Sequence, residues 1–325
     1  MEKEYIDYVV RFQGEYSFLE LVNIIREGNY DKLSECKGIV YRENDNVIIN
    51  DMRPLIKNMD DKPIPAWHLL EMHKYSDDNR WSINTSQGCP CNCAFCSTTA
   101  FNSKICYMSA ERIIENIKVI LRIEGNSKFI SISFSDDAFT SNRKRIERLC
   151  NLIIEEKLKF IWACSTRVDL VDEEIMRLMY KAGCRAVLFG IESCSNEVLN
   201  KVGKRINIEQ AKEAIKIAKK VGMRVKEMFI LGLPFEDHKS TELIEEFFLE
   251  THPEEIRFGM LSAYPGTPIY TESKKYGIKF LTNNWSDYDL LRPTTENSIL
   301  SSDEIYAKYL ELTEKYESVN EEKLI

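Results

Sequence analysis

Cys89-Pro90-Cys91-Asn92-Cys93-Ala94-Phe95-Cys96 puts four cysteines within eight residues, directly after Gly88. Cys89, Cys93 and Cys96 fall in a C-x3-C-x2-C spacing, with the aromatic Phe95 just before the last. Three thiolates on one tight loop can hold three irons of a four-iron cluster and leave the fourth iron without a cysteine. Electron-transfer clusters are closed by a fourth cysteine. An open iron invites a ligand and chemistry, as the open position of a catalytic metal site does. Cys91 lies outside the spacing and reads as a spectator. A zinc knuckle or a reduced, buried cysteine group is the rival reading. Zinc, however, wants a fourth ligand from a second pair. His68, His73, His238 and His252 are scattered, and no cysteine follows Cys194.

The rest of the composition fits that centre. The 325 residues suit one large domain or a domain with appendages, and 44% hydrophobic residues suffice for a sizeable core. A net charge of -8 argues against a general nucleic-acid binder. No apolar run reaches membrane-spanning length. Met1 to Asp7 has no signal-peptide pattern. Ten cysteines are too dilute for a disulfide scaffold. The expectation is a cytoplasmic protein with no nucleic-acid or membrane partner.

From Trp81 onward the hydrophobic period alternates. Strand-like runs cover 81–87, 129–134, 160–164, 186–190, 225–231 and 256–261. Between them lie helical patterns such as Ile113/Ile114/Ile117/Ile120 and Ala211/Ala214/Ile215/Ala218. Repeated strand–helix units imply a parallel sheet with right-handed crossovers. Six such units predict an α/β fold, an incomplete (β/α)6 TIM-like barrel over 81–275. Residues 1–80 read as a small N-terminal α+β cap. It has a strand at Tyr5–Val10, a helix at Ser17–Arg26 with Phe18, Leu21, Val22 and Ile25 as its apolar face, and a hairpin at 38–49. Residues 276–325 read as a C-terminal helical extension, with Ile305, Tyr309 and Leu312 on one helix face, serving as a lid or a barrel-bottom cover.

In such barrels chemistry sits at the C-terminal strand ends, and polar groups gather there. Asp136 and Asp137 follow the second strand, Arg167 and Asp169 the third, Glu192 the fourth, and Ile230-Leu231-Gly232 closes the fifth. Asp136 could be a cap and Asp137 the inward residue, since neighbours in an extended segment alternate faces. Lys204 follows in Leu199-Asn200-Lys201-Val202-Gly203-Lys204. Any one of these alone reads equally well as a cap or a solvated charge.

The cysteine spacing with its aromatic resembles the radical S-adenosylmethionine (radical SAM) superfamily, and residues 1–275 resemble the core of its cobalamin-type members. The resemblance implies a [4Fe–4S] cluster on Cys89, Cys93 and Cys96, with S-adenosylmethionine chelating the fourth iron. It implies that Glu192 contacts the amino acid or ribose part of the cofactor and that Lys204 meets its carboxylate. It places Ile230, Gly232 and the backbone at Phe95 beside the adenine, with Asp137 and Arg167 as further cofactor or substrate contacts. Gln87 stands where relatives often carry arginine. The activity implied is reductive cleavage of S-adenosylmethionine to a 5′-deoxyadenosyl radical. That radical abstracts hydrogen from an unidentified small-molecule or peptide substrate, for epimerisation, rearrangement, dehydration or other C–H functionalisation. A flavodoxin or ferredoxin would supply the electron. No histidine lies in the cobalt-binding setting Asp-x-His-x-x-Gly, so bound cobalamin is not expected. The alternatives are a cobalamin-dependent methyltransferase and a single-cluster electron carrier or sensor.

Overall fold

The computed structural model describes residues 5–71, 74, 75, 80–101, 104–125 and 129–321. His73 and the start of the chain through Glu4 lie outside them. The chain divides into two compact units, Met1–Asn58 and Met59–Ile325.

In the first unit, β1 (Tyr8–Val10) pairs antiparallel with β2 (Ile39–Glu43), which pairs with β3 (Asn46–Ile49). The β2–β3 turn is the two-residue Asn44-Asp45, both with positive φ of 46° and 65°. That is the geometry a tight hairpin demands and that Asn and Asp tolerate. Helix α1 (Glu15–Glu27) buries Ser17, Leu21 and Ile24. The expected apolar face is thereby corrected. Phe18, Val22 and Ile25 are exposed, and only Leu21 of the four named residues enters the core. A three-stranded sheet can cover one face of a helix only, and the 17/21/24 row took it.

The second unit is built on six parallel strands in the order β11-β10-β9-β8-β7-β4. They are β4 (Arg80–Ile83), β7 (Ser131–Phe134), β8 (Ile161–Thr166), β9 (Cys184–Glu192), β10 (Arg224–Leu231) and β11 (Glu255–Met260). Two short strands, β5 (Ser86–Gln87) and β6 (Cys106–Tyr107), flank α2 (Ser97–Phe101). The crossovers are α3 (Ala110–Glu124), α4 (Arg143–Glu155), α5 (Glu173–Lys181), α7 (Ile208–Val221) and α8 (His238–Thr251), with α6 (Asn196–Lys201) between β9 and α7. After β11 come α9 (Pro268–Thr271), β12 (Lys279–Phe280), β13 (Thr295–Glu296) and α10 (Ser302–Glu321). The six-strand parallel reading holds, and the architecture is a partial TIM-like barrel.

Local chemistry explains where the helices begin. Ser109, Asn142, Asp172, Asn207 and Asp237 each accept a backbone N–H at the N-terminus of α3, α4, α5, α7 and α8. Each satisfies a donor that the first helical turn leaves without a partner. On β10, Val225, Phe229 and Leu231 are buried on one side of the sheet, and Phe229 meets Phe247 of α8 edge-on at 6.0 Å.

Two expectations need adjustment. The run 81–87 is not one strand: β4 ends at Ile83, and Ser86–Gln87 turns away to pair with Cys106–Tyr107. The C-terminal helix, expected as a lid or a barrel-bottom cover, runs along the edge of the sheet. It lies against the edge strand β11, with the Tyr316 ring tilted against Phe248 at 4.1 Å and Phe258 at 6.1 Å. A sheet that does not close into a full barrel has an open edge, and α10 covers it.

Candidate active site

The cysteine loop follows β4 and β5 and therefore emerges at the C-terminal ends of the parallel strands. Backbone bonds hold it there. Ala94 donates its N–H to Val202 at 2.8 Å and accepts from Ile269 N–H at 3.2 Å. Cys96 N–H closes the turn on Cys93 at 3.1 Å. Ala94 also belongs to a small apolar cluster with Val198, Val202, Leu233 and Leu261. The turn after α6 must approach closely: a Cβ at Gly203, whose φ is +71°, would stand 3.2 Å from the Asn92 carbonyl. Cys93 is buried, Cys89 and Cys96 are half-buried, and none is in a disulfide. Loss of water pushes the Cys89 thiol up to about 11. Burial also raises Cys93, against the opposing pull of Lys204 and Arg167. Thiols so placed stay protonated until a metal replaces the proton.

Beside Cys93 lies a buried set of charges. Lys204 Nζ donates to Glu192 Oε1 at 2.8 Å, and the two side chains are only 7% and 10% exposed. Arg167 is locked by a two-pronged bond to Asp169, at 2.8 and 3.0 Å, and by a 2.7 Å bond to the Lys204 carbonyl. Its remaining Nη1 points at Cys93 Sγ, 3.9 Å away. The geometry of an Arg–carboxylate fork fixes direction as well as charge. Glu192 itself sits at φ 71°, an uncommon conformation for a residue with a Cβ. Gly190 makes room for the pair: a Cβ there would collide with Glu192 Oε1 and stand 3.2 Å from Lys204 Nζ.

The two adjacent aspartates part ways. Asp136 is buried and accepts from Thr85 N, Thr85 Oγ1 and Ser86 N at 2.6, 2.5 and 3.1 Å, with Arg145 at 3.3 Å. It fixes the β4–β5 bend just ahead of the cysteines. Asp137 is exposed and accepts from Thr98 Oγ1 at 3.2 Å. Loss of water on its protein side and the Asp136 charge raise its pKa.

A cavity of about 740 Å³ opens next to the cysteines and runs along β10 and β11. Phe95, Cys96, Glu192 and Ile230, all anticipated from the sequence, line it together. Arg167 and Lys204 stand behind Glu192 and Cys93 rather than in the cavity wall. Asp137 stands by Thr98. Gly232 faces elsewhere: its N–H donates to Glu236 at 2.6 Å, and a Cβ on it would meet Ile305 of α10 at 3.0 Å. Sequence reasoning did not single out Glu236, Ser262 or Gly203. The short spacing Gly232-x3-Glu236 was the one available signal among them.

The donor set fits an iron–sulfur cluster, since it offers three unbridged thiols on one loop with a fixed cation at hand. The neighbouring Glu192–Lys204 pair and apolar wall fit a cofactor with a charged end and a flat ring. The Radical SAM superfamily model matches residues 83–248. An uncharacterized methyltransferase of Pyrococcus horikoshii is 37% identical over 303 residues, covering 92% of this chain and 65% of the relative. The anaerobic magnesium-protoporphyrin IX monomethyl ester cyclase of Rubrivivax gelatinosus is 28% identical, over 94% of this chain and 55% of the relative. This chain thus spans between half and two thirds of the length of these relatives. The structure of the radical S-adenosylmethionine methyltransferase TsrM from Kitasatospora setae, with cobalamin and a [4Fe–4S] cluster bound, superposes with a TM-score of 0.72 at 17% identity, over 86% of this chain and 59% of that one. The expectation against cobalamin finds no support in these similarities. A thiol loop at the strand ends of a six-stranded partial barrel and a 37% identical relative lead to one conclusion: this chain belongs to the radical SAM superfamily.

Proposed function

We propose that Cys89, Cys93 and Cys96 ligate a [4Fe–4S] cluster, and that the chain activates S-adenosylmethionine there to functionalise a C–H bond of a substrate held in the adjoining cavity. The observation that carries this reading is the meeting of the three cysteines with Glu192, Lys204 and Arg167 at one rim of the sheet. When bound and reduced, such a cluster supplies the electron that breaks the C5′–S bond of S-adenosylmethionine, giving methionine and a 5′-deoxyadenosyl radical.

The protein's part is positioning and exclusion of water. The Glu192–Lys204 pair offers a carboxylate and an ammonium to the two charged ends of an amino acid moiety. Both are already oriented and desolvated, so little reorganisation is needed on binding. Arg167, held by Asp169, keeps a positive charge beside Cys93 Sγ, where it would offset the negative charge of a bound cluster. Phe95 and Ile230 present an apolar wall suited to a flat base. The electron donor proposed for the cluster is an external protein of flavodoxin or ferredoxin type.

Methyl transfer with cobalamin is the second reading, favoured by the methyltransferase relative. This reading is tested with the corrin supplied in the assay. Anaerobic reconstitution with iron, sulfide, dithionite and S-adenosylmethionine should release 5′-deoxyadenosine. A wild-type protein with an intact cluster that releases none would sink the proposal. S-adenosylhomocysteine appearing only with added cobalamin would decide for methyl transfer.

A further inference from the structure

Beyond the Glu192–Lys204 pair assigned to the cofactor, the charged side chains of the cavity lining, Arg257 and Asp289, are each paired with a neighbour. Glu192 is paired with Lys204 at 2.8 Å, Arg257 with Glu255 at 2.6 Å, and Asp289 with Arg292 at 2.8 Å. These are the charged side chains of its lining. Apolar surface is supplied by Met228, Met260, Leu261, Leu290 and the rings of Tyr264 and Tyr309. Of the hydroxyls in that lining, which include those of Ser97, Tyr264, Tyr309, Thr313 and Tyr316, one is buried without a partner. Ser262, just past the end of β11, is 4% exposed, and its buried hydroxyl has no hydrogen-bond partner. A buried hydroxyl without a partner costs stability unless something else meets it. The lip is apolar as well: Leu290 and Leu291 line the cavity yet are 44% and 57% exposed. Exposed apolar residues gathered at a cavity mouth mark a surface to be covered by a ligand.

A charged substrate would lose its water here and find no free countercharge in the wall. An uncharged, largely hydrocarbon molecule would lose little and gain the whole lining. We infer that the non-cofactor part of this site takes a large, uncharged, polycyclic or lipid-like substrate, with a single hydrogen-bonding group that Ser262 engages. The inference rests on the proposed function only in calling this ligand the substrate. The cavity, its paired charges and the lone hydroxyl stand without it.

The test uses neutral fluorescent probes on the full chain, with and without its cluster. Nile red carries a carbonyl acceptor, whereas diphenylhexatriene has no hydrogen-bonding group. Each should bind one cavity site. Leu291→Asp puts a charge on an already exposed lip position and should weaken both probes about tenfold or more. Ser262→Ala should weaken Nile red about fivefold, the scale of one net hydrogen bond, and leave diphenylhexatriene unchanged. Circular dichroism confirms the fold of each variant. Probe binding that persists undiminished in Leu291→Asp overturns the inference. So does an anionic probe, anilinonaphthalene sulfonate, that binds as tightly as the neutral ones and is lost in Arg257→Gln. Failure of the wild type to bind S-adenosylmethionine would instead strike the proposed function, and the probe titrations read separately from it.

Discussion

Gly190 shows how much of this site turns on a single hydrogen atom. A methyl group there would displace the Glu192 carboxylate that Lys204 holds. Gly190→Ala should therefore leave the cluster's absorbance intact and weaken S-adenosylmethionine binding at least tenfold, as read by equilibrium dialysis. Unchanged affinity would mean that the Glu192–Lys204 pair does not contact the cofactor. Cys93→Ala removes the buried thiol of the three and should abolish the reconstituted cluster, read by iron content and visible absorption. Cys91→Ala should retain it. The spacing of the three cysteines was legible because it is local to eight residues. The split between Asp136 and Asp137 ran opposite to the expectation: Asp136 is the buried residue, and Asp137, expected to point inward, is exposed. Alternation separates neighbours in extended chain, but which one turns inward depended on where Thr85 and Arg145 lay, 51 and 9 residues away.

At the scale of the element, β10 carries an oddity within a good strand. Glu227 shares the buried side of the strand with Val225 and Phe229 and is 0% exposed, and neither carboxyl oxygen makes a full hydrogen bond, the hydroxyl of Thr251 being committed to the Phe247 carbonyl. Burial raises its pKa to about 8, with nearby Thr251 and Lys219 pulling down and Glu254 pushing up. The folded protein thus keeps a proton that the unfolded chain loses at the ordinary carboxylate range. Stability from this residue is complete below about pH 4.5 and is lost as pH rises toward about 8. The slope is at most about 1.4 kcal/mol per pH unit. Glu227→Gln should remove that slope, so its advantage over wild type in urea unfolding grows from pH 5 to pH 9. An advantage that is flat with pH would show that Glu227 does not hold its proton. Sequence pattern identified the strand correctly because five of its eight residues are apolar. It gave no warning of Glu227, since a buried face can be assigned only when the covering helices are placed.

Across the whole molecule, the incomplete barrel leaves β11 as an edge, and α10 covers it with Leu312 fully buried and Ile305 and Tyr316 nearly so. Leu312→Ala should cost about 2–5 kcal/mol, the range for a large-to-small change in a packed core, as measured by chemical denaturation. A change below about 1 kcal/mol would mean that the helix contributes little to the barrel. The sequence by itself determined the number and kind of strand–helix units and the spacing of the cysteine loop. Hydrophobic period and close ligand spacing are both short-range properties, and they survive in one dimension. Tertiary structure alone decided that Arg167 and Lys204 converge on Cys93, which side of α1 is buried, and that α10 closes an edge. It also decided that paired charges leave one cavity wall apolar. Each of these depends on residues distant in the chain competing for the same space, and no local pattern records the winner of that competition.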